Sequence, residues 1–128
     1  MIQHIVKEIL DEREKKIFIC HNINKEILKD ALNCTLVPTS LIKGKAQCNK
    51  FTDGMIKADY LIIDEVLDIE TINKLNGGKM KELVHGDFSN NKGELLSAKK
   101  LIIICNSNSL ELIFPQENAL IRRTKFIL

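Results

Sequence analysis

The run Tyr60-Leu-Ile-Ile-Asp-Glu65 constrains the fold more than any other segment, because uninterrupted apolar residues end abruptly in two adjacent carboxylates. A strand buried on both faces carries Leu, Ile and Val without alternation. The C-terminal edge of such strands is where open α/β sheets bind ligands, and Asp64 and Glu65 are expected at that edge. Neighbouring carboxylates repel each other unless a cation, a donor or water separates their tasks. One can organise Mg²⁺ while the other polarises an attacking water, a division suited to phosphoryl transfer. The plainer alternative is that Asp64 caps the next helix and Glu65 is a first-turn acid favoured by the helix dipole.

Other segments supply the partners such a strand needs. Ile2, Ile5, Val6, Ile9 and Leu10 recur at helical spacing, which predicts an amphipathic helix over residues 2–13. Lys16-Ile-Phe-Ile-Cys20 predicts a strand, His21-Asn-Ile-Asn24 a turn, and Ile27, Leu28, Ala31 and Leu32 a helix from about Asn24 to Asn33. Thr35-Leu-Val37 is a short strand closed by Pro38, and residues 39–52 read as loop with room for a short helix. A helix over Leu67–Leu75 is expected to stop at Asn76-Gly77-Gly78. Partial alternation from Met80 to Leu96 around the turn-like Asn90-Asn-Lys-Gly93 suggests a β-hairpin. Leu101-Ile-Ile-Ile-Cys105 is another buried strand, and residues 119–128 hold a basic turn and a last apolar strand. Short buried strands separated by helices imply α/β architecture, with a mostly parallel sheet covered on both faces.

At 128 residues the chain fits a single domain. A net charge of +2 means that contact with nucleic acid must come from a local basic patch. Cys20, Cys34, Cys48 and Cys105 have no metal-site spacing, which fits a reduced intracellular protein better than a disulfide scaffold. No apolar run is long enough to span a bilayer and the first residues lack a signal peptide's apolar core, so a soluble protein with no membrane partner is expected.

Several features then fall into one order: a strand ending in Asp64-Glu65, a helix leading to Asn76-Gly77-Gly78, a Lys-bearing hairpin candidate, a strand ending in Asn106, then Arg122-Arg123 and a final strand. From about residue 15 to 128 this series resembles the superfamily 3 helicases, the AAA+ ATPases of small DNA viruses and plasmids, with the parvovirus replication proteins nearest. The resemblance implies a three-layer P-loop NTPase fold of AAA+ type with an inserted β-hairpin, the helix over residues 1–14 preceding the core. It implies ATP and Mg²⁺ as cofactors, single-stranded DNA as partner and a homo-oligomeric ring, a hexamer, acting inside the cell (host nucleus or cytoplasm if viral). Asp64 would organise Mg²⁺, Glu65 would activate water, and Asn106 would hold that water or the γ-phosphate. Arg122 or Arg123 would be the arginine finger that reaches a neighbouring subunit's nucleotide. Lys79, Lys81, His85 and Lys92 would line the hairpin that contacts DNA in the central channel, with His85 at its tip. Taken singly, Asn106 is an ordinary turn residue, the arginines a solvated pair and the lysines a solvated loop. Recognition of a particular origin sequence is expected from elsewhere.

The chain departs from the family at the phosphate-binding loop. A working loop reads Gly-x-x-x-x-Gly-Lys-Ser/Thr, so that backbone amides curl around phosphates and the hydroxyl takes Mg²⁺. Here the first strand is followed by Cys20-His-Asn-Ile-Asn-Lys-Glu26. Asn24 and Lys25 stand in the nucleotide-binding positions, and Lys25 lies 39 residues before Asp64, a separation like the family's. Both glycines are missing and Glu26 replaces the hydroxyl. A second candidate, Thr39 to Ala46 with Gly44-Lys45, is too near Asp64 and is rejected. Two functions are therefore expected: an ATP-driven helicase core moving on single-stranded DNA, or a catalytically degenerate AAA+ module that binds DNA or assembles without hydrolysis.

Overall fold

In the computed structural model, which describes residues 2–43 and 50–128, the apolar runs pair into one five-stranded sheet whose strands are all parallel. The strands are β1 (Ile17–His21), β2 (Cys34–Val37), β3 (Tyr60–Leu67), β4 (Lys100–Cys105) and β5 (Thr124–Ile127), in the order β2-β3-β4-β1-β5. Helices α1 (Ile2–Asp11), α2 (Lys25–Ala31), α3 (Asp53–Lys57), α4 (Ile69–Asn73), α5 (Gly77–His85) and α6 (Asn118–Arg123) flank it. Short 3-10 turns follow β2 at Thr39–Ile42 and β4 at Leu110–Leu112.

Parallel strands need long crossovers, and these crossovers cover both faces of the sheet with apolar side chains. On one face Phe18, Cys20, Ile62, Ile102 and Ile104 pack with Ile9 of α1 and Leu28 of α2. On the other, Ile17, Ile19, Leu61, Ile63, Leu101 and Ile103 pack with Ile72, Met80, Leu83 and Leu120 of α4, α5 and α6. The central strands lose all exposure across Ile17–Cys20 and Leu61–Ile63, which is why their sequences lack alternation. Each such side chain contributes about 1.5–3 kcal/mol relative to an exposed one. Cys20, Cys34 and Cys105 are free thiols, and burial pushes that of Cys20 up to about 12. Among the described residues no helix is long and apolar enough to cross a membrane.

The structure corrects the expected course between β3 and β4. β3 does not stop at Ile63: Ile62 pairs with Ile102 and Val66 with Ile104, so the extra residues between them form a bulge. Asp64 therefore does not cap the next helix, and Asp68 does so by accepting from the Thr71 amide at 2.7 Å. Asn76-Gly77-Gly78 starts a helix instead of ending one, because the Asn76 side chain accepts from the Lys79 amide at 3.0 Å and Met80, Leu83 and Val84 give the following turns an apolar face. The hairpin expected over Met80–Leu96 is thus replaced by α5, closed by Gly86 at φ 84°, and a single antiparallel bridge between Ser89 and Leu95. The basic turn expected around Arg122-Arg123 is the last turn of α6.

Candidate functional site

The sheet order has a chemical consequence at the C-terminal edge. β1 sends its chain across one face to α2, whereas β4, its neighbour, sends its chain across the other face to α6. Oppositely directed exits are the arrangement outside whose strand ends open α/β sheets usually take ligands. The exits of β1, β4 and β3 lie side by side there, and they carry Lys25, Asn106 and the Asp64-Glu65 pair.

The exit of β1 is short and filled by its own side chains. Asn22 adopts φ 50°, a conformation that Asn tolerates, and its amide donates to the Cys105 carbonyl at 2.8 Å. That bond ties the end of β1 to the end of β4. Ile23 is buried against the α1–α2 layer. Asn24 caps α2, its side-chain oxygen accepting from the Glu26 amide at 2.9 Å. Lys25 is the first residue of α2, and its Nζ reaches across the end of β4 to donate to Asp64 Oδ1 at 2.6 Å and to the Asp64 carbonyl at 3.2 Å. The hydrogen bond from Lys25 to Asp64, with their charge attraction, raises the Lys25 ammonium above the usual lysine range. Both side chains face solvent, so water screens the pair and an incoming anion can compete for it.

The bulge in β3 turns Asp64 and Glu65 outward, a use of bulges common beside ligand sites. Thr39, buried at the start of the turn after β2, donates its hydroxyl in a short hydrogen bond to Glu65 Oε1. Pro38, Thr39, Asp64 and Glu65 line an open cleft of about 210 Å³. Sequence reading missed Thr39, but the register contains the signal: Val37 pairs with Ile63, so the residue two places beyond Val37 stands level with Glu65. Asn106 follows β4 immediately, is exposed, and donates its amide to the Leu67 carbonyl at 3.0 Å. Asp64 and Asn106 thus sit on adjacent strands at one edge.

The remaining expected residues lie elsewhere. Arg122 and Arg123 end α6 just before β5, and the Arg123 carbonyl accepts from the Lys16 amide at 3.1 Å at the N-terminal edge of the sheet. Within one chain they are at the opposite end from Asp64. His85 is not a hairpin tip: it is the last residue of α5, and its Nε2 accepts from Arg123 Nε at 2.9 Å. Lys79 and Lys81 are also on α5, with the Lys79 ammonium 5.6 Å from the centre of the Phe88 ring. Lys92 alone of the four occupies a turn, its amide held by Asn90 Oδ1 at 2.9 Å. The rejected Gly44-Lys45-Ala46 segment lies outside the described residues.

Among the described residues no group of three or more His, Cys, Asp or Glu side chains could hold a metal ion. Mg²⁺ does not need one, since it commonly takes one or two carboxylates and completes its shell with water and substrate phosphates. The exposed acids beside the Thr39 hydroxyl fit that mode. The β1 exit fits a phosphate less well, because the Asn24 carboxamide already satisfies the Glu26 amide and the Glu26 carboxylate opposes a second negative charge. Neither a family model nor a curated protein matches this chain.

Proposed function

We propose that the chain is the nucleotide-responsive core of a superfamily 3 helicase-like replication protein, a P-loop NTPase fold of AAA+ type that acts on single-stranded DNA as an oligomeric ring. The observation that carries this reading is the 2.6 Å contact between Lys25 and Asp64. A basic residue at the start of the helix after one strand and an acid two strands away have no reason of chain proximity to meet, yet they do so where phosphate and Mg²⁺ would have to be neutralised. Asn106 on the intervening strand adds a side chain able to donate and accept at the same edge. When bound, Mg²⁺–ATP would supply the electrophilic phosphoryl group and the charge that the acids organise. The chain's own part would be to hold phosphate on Lys25, metal on Asp64 and water on Glu65, whose carboxylate accepts from Thr39. Arg122 and Arg123, at the far edge, could serve only a neighbouring copy, in keeping with a ring.

A second reading is favoured by Asn24 and Glu26: an AAA+-type module whose phosphate loop has closed on itself, assembling or binding DNA without hydrolysis. Millimolar ATP with Mg²⁺ separates the two, since a ligand bound only to the folded state must raise the melting temperature. The first reading expects a rise in the parent protein and none in Lys25→Ala. No rise in the parent overturns it and leaves the second. A rise without phosphate release from ATP would mark a binding module in place of a hydrolase.

A further inference from the structure

Three strands that lie side by side in the sheet are each entered through a basic dipeptide: Lys99-Lys100 before or at the start of β4, Lys15-Lys16 before β1, and Arg122-Arg123 before β5. The ladder brings them level. Ile17 pairs with both Leu101 and Thr124, so Lys16, Lys100 and Arg123 occupy one row across the N-terminal edge. The Lys16 amide donates to the Arg123 carbonyl at 3.1 Å, and the Leu101 amide to the Lys16 carbonyl at 2.9 Å. Neighbouring strands are about 4.8 Å apart, and like charges directly opposite each other in a sheet are destabilising. Folding alone would not favour such a row.

Local acids answer it only in part. The Asp59 carboxylate accepts from Asn33 Nδ2 at 3.1 Å, and Glu12 is engaged by the Lys15 amide and by Lys125. Lys99 is different from the others: it is buried, with its ammonium held by the Ile56 and Ala58 carbonyls at 2.9 and 2.5 Å. Lys16, Lys99 and Lys100 line a cleft of about 340 Å³ together with Asp59, Leu10, Tyr60 and Val84. The Lys100 ammonium lies 5.2 Å from the centre of the Tyr60 ring. The cleft combines three lysines and one carboxylate with apolar and aromatic side chains, while the Arg123 guanidinium is engaged by His85 and the Ala119 carbonyl.

We propose that this N-terminal edge is a binding site for single-stranded nucleic acid, remote from the acids of β3: backbone phosphates sit on the ammonium groups of Lys100 and Lys16, and one base enters the cleft. Two neighbouring cations on one sheet edge suit a single flexible polyanion, and a cavity beside them suits the flat base that such a strand carries. A membrane surface would need a broad face and would leave the cleft unused. The site requires no ATP, so it stands or falls apart from the nucleotide reading.

The test is fluorescence anisotropy of a labelled oligothymidine with the full chain, in EDTA and without nucleotide, over a series of salt concentrations. The Lys16→Gln/Lys100→Gln double variant should bind roughly tenfold more weakly and lower the slope of log K against log salt by about 1.4, two charges at about 0.7 each for a single strand. Lys7→Gln, on the exposed side of α1 and paired with Asp11 at 3.3 Å, should bind like the parent. Thermal melts of all three proteins establish that each is folded. An unchanged affinity and slope in a folded double variant overturns the proposal, and so does binding to anionic lipid vesicles with none to the oligonucleotide.

Discussion

At the scale of single residues the nucleotide question turns on the two positions either side of Lys25. Asn24 gives α2 a good N-terminal cap, worth about 1 kcal/mol, and in doing so places an acceptor where a phosphate oxygen would lie. Glu26 adds a negative charge beside it. If these two side chains are what weakens phosphate binding, then Glu26→Thr, which removes the charge and supplies a hydroxyl, should tighten Mg²⁺–ATP by about tenfold, equivalent to about 1.4 kcal/mol. Isothermal titration gives the dissociation constant directly, and an unaltered value would mean that the loop backbone, not the side chain, is the obstacle. Lys25 also sets a pH dependence of stability. Its ammonium is raised by Asp64, so the pair's contribution is fully present below the unfolded lysine value of 10.5 and is lost as pH climbs through the higher folded one. Lys25→Met should flatten that alkaline limb in urea melts, while a limb of unchanged steepness would assign it to other lysines.

At the scale of elements, the strands were legible because a sheet buried on both faces imposes unbroken apolar runs, and Ile17–Cys20 and Leu101–Cys105 have no other use for such sequences. The segment between β3 and β4 was not. Gly77-Gly78 reads as a stop when glycine is taken as a C-cap, whereas here Asn76 ahead of it supplies the start signal and the stop is Gly86. The bulge was hidden because Val66 and Leu67 rejoin the ladder beyond two charged residues, a pairing fixed by β4 and not by local pattern. Gly86→Ala therefore belongs to the costly class: φ is 84°, and an added Cβ would come within 3.0 Å of the Ala98 amide nitrogen. A loss of about 1–2 kcal/mol in chemical denaturation is expected, and a neutral result would show that α5 can end elsewhere. Asp68, the cap of α4, gives a second handle. The Thr71 side chain and amide hold its carboxyl below the usual 3.8, so its contribution exists above that value and is lost as pH falls through the lower folded one. Asp68→Asn keeps a capping group without the titration, and its urea midpoint should fall less steeply in acid than that of the parent.

At the scale of the whole molecule the two edges of the sheet divide the chemistry. Lys25, Asp64, Glu65 and Asn106 occupy the C-terminal edge, while Arg122, Arg123 and His85 occupy the N-terminal one, so no single copy can bring a guanidinium to its own acids. Sequence order alone did not show that the arginines stand apart from the acids, and the topology puts them at the other edge because β5 is parallel to β1 and must be entered from the far side. A nucleotide site completed by an arginine is then a property of two copies, and Arg123 would have to exchange His85 for a partner's phosphate. This has a sharp consequence for mixed assemblies. On the helicase reading, Asp64→Asn removes the acid proposed to organise Mg²⁺ but leaves the arginines, whereas a chain with both Arg122→Ala and Arg123→Ala does the reverse. Each alone should release little phosphate from ATP, because an arginine finger is worth about 10³–10⁵ in rate. Mixed in equal amounts at a concentration that supports assembly, they should regain a substantial fraction of parental activity through sites built from the acids of one copy and the arginines of the other. An activity no greater than the average of the two separate variants would remove the arginines from the site and leave Asp64, Glu65 and Lys25 to work, if they work, within a single chain.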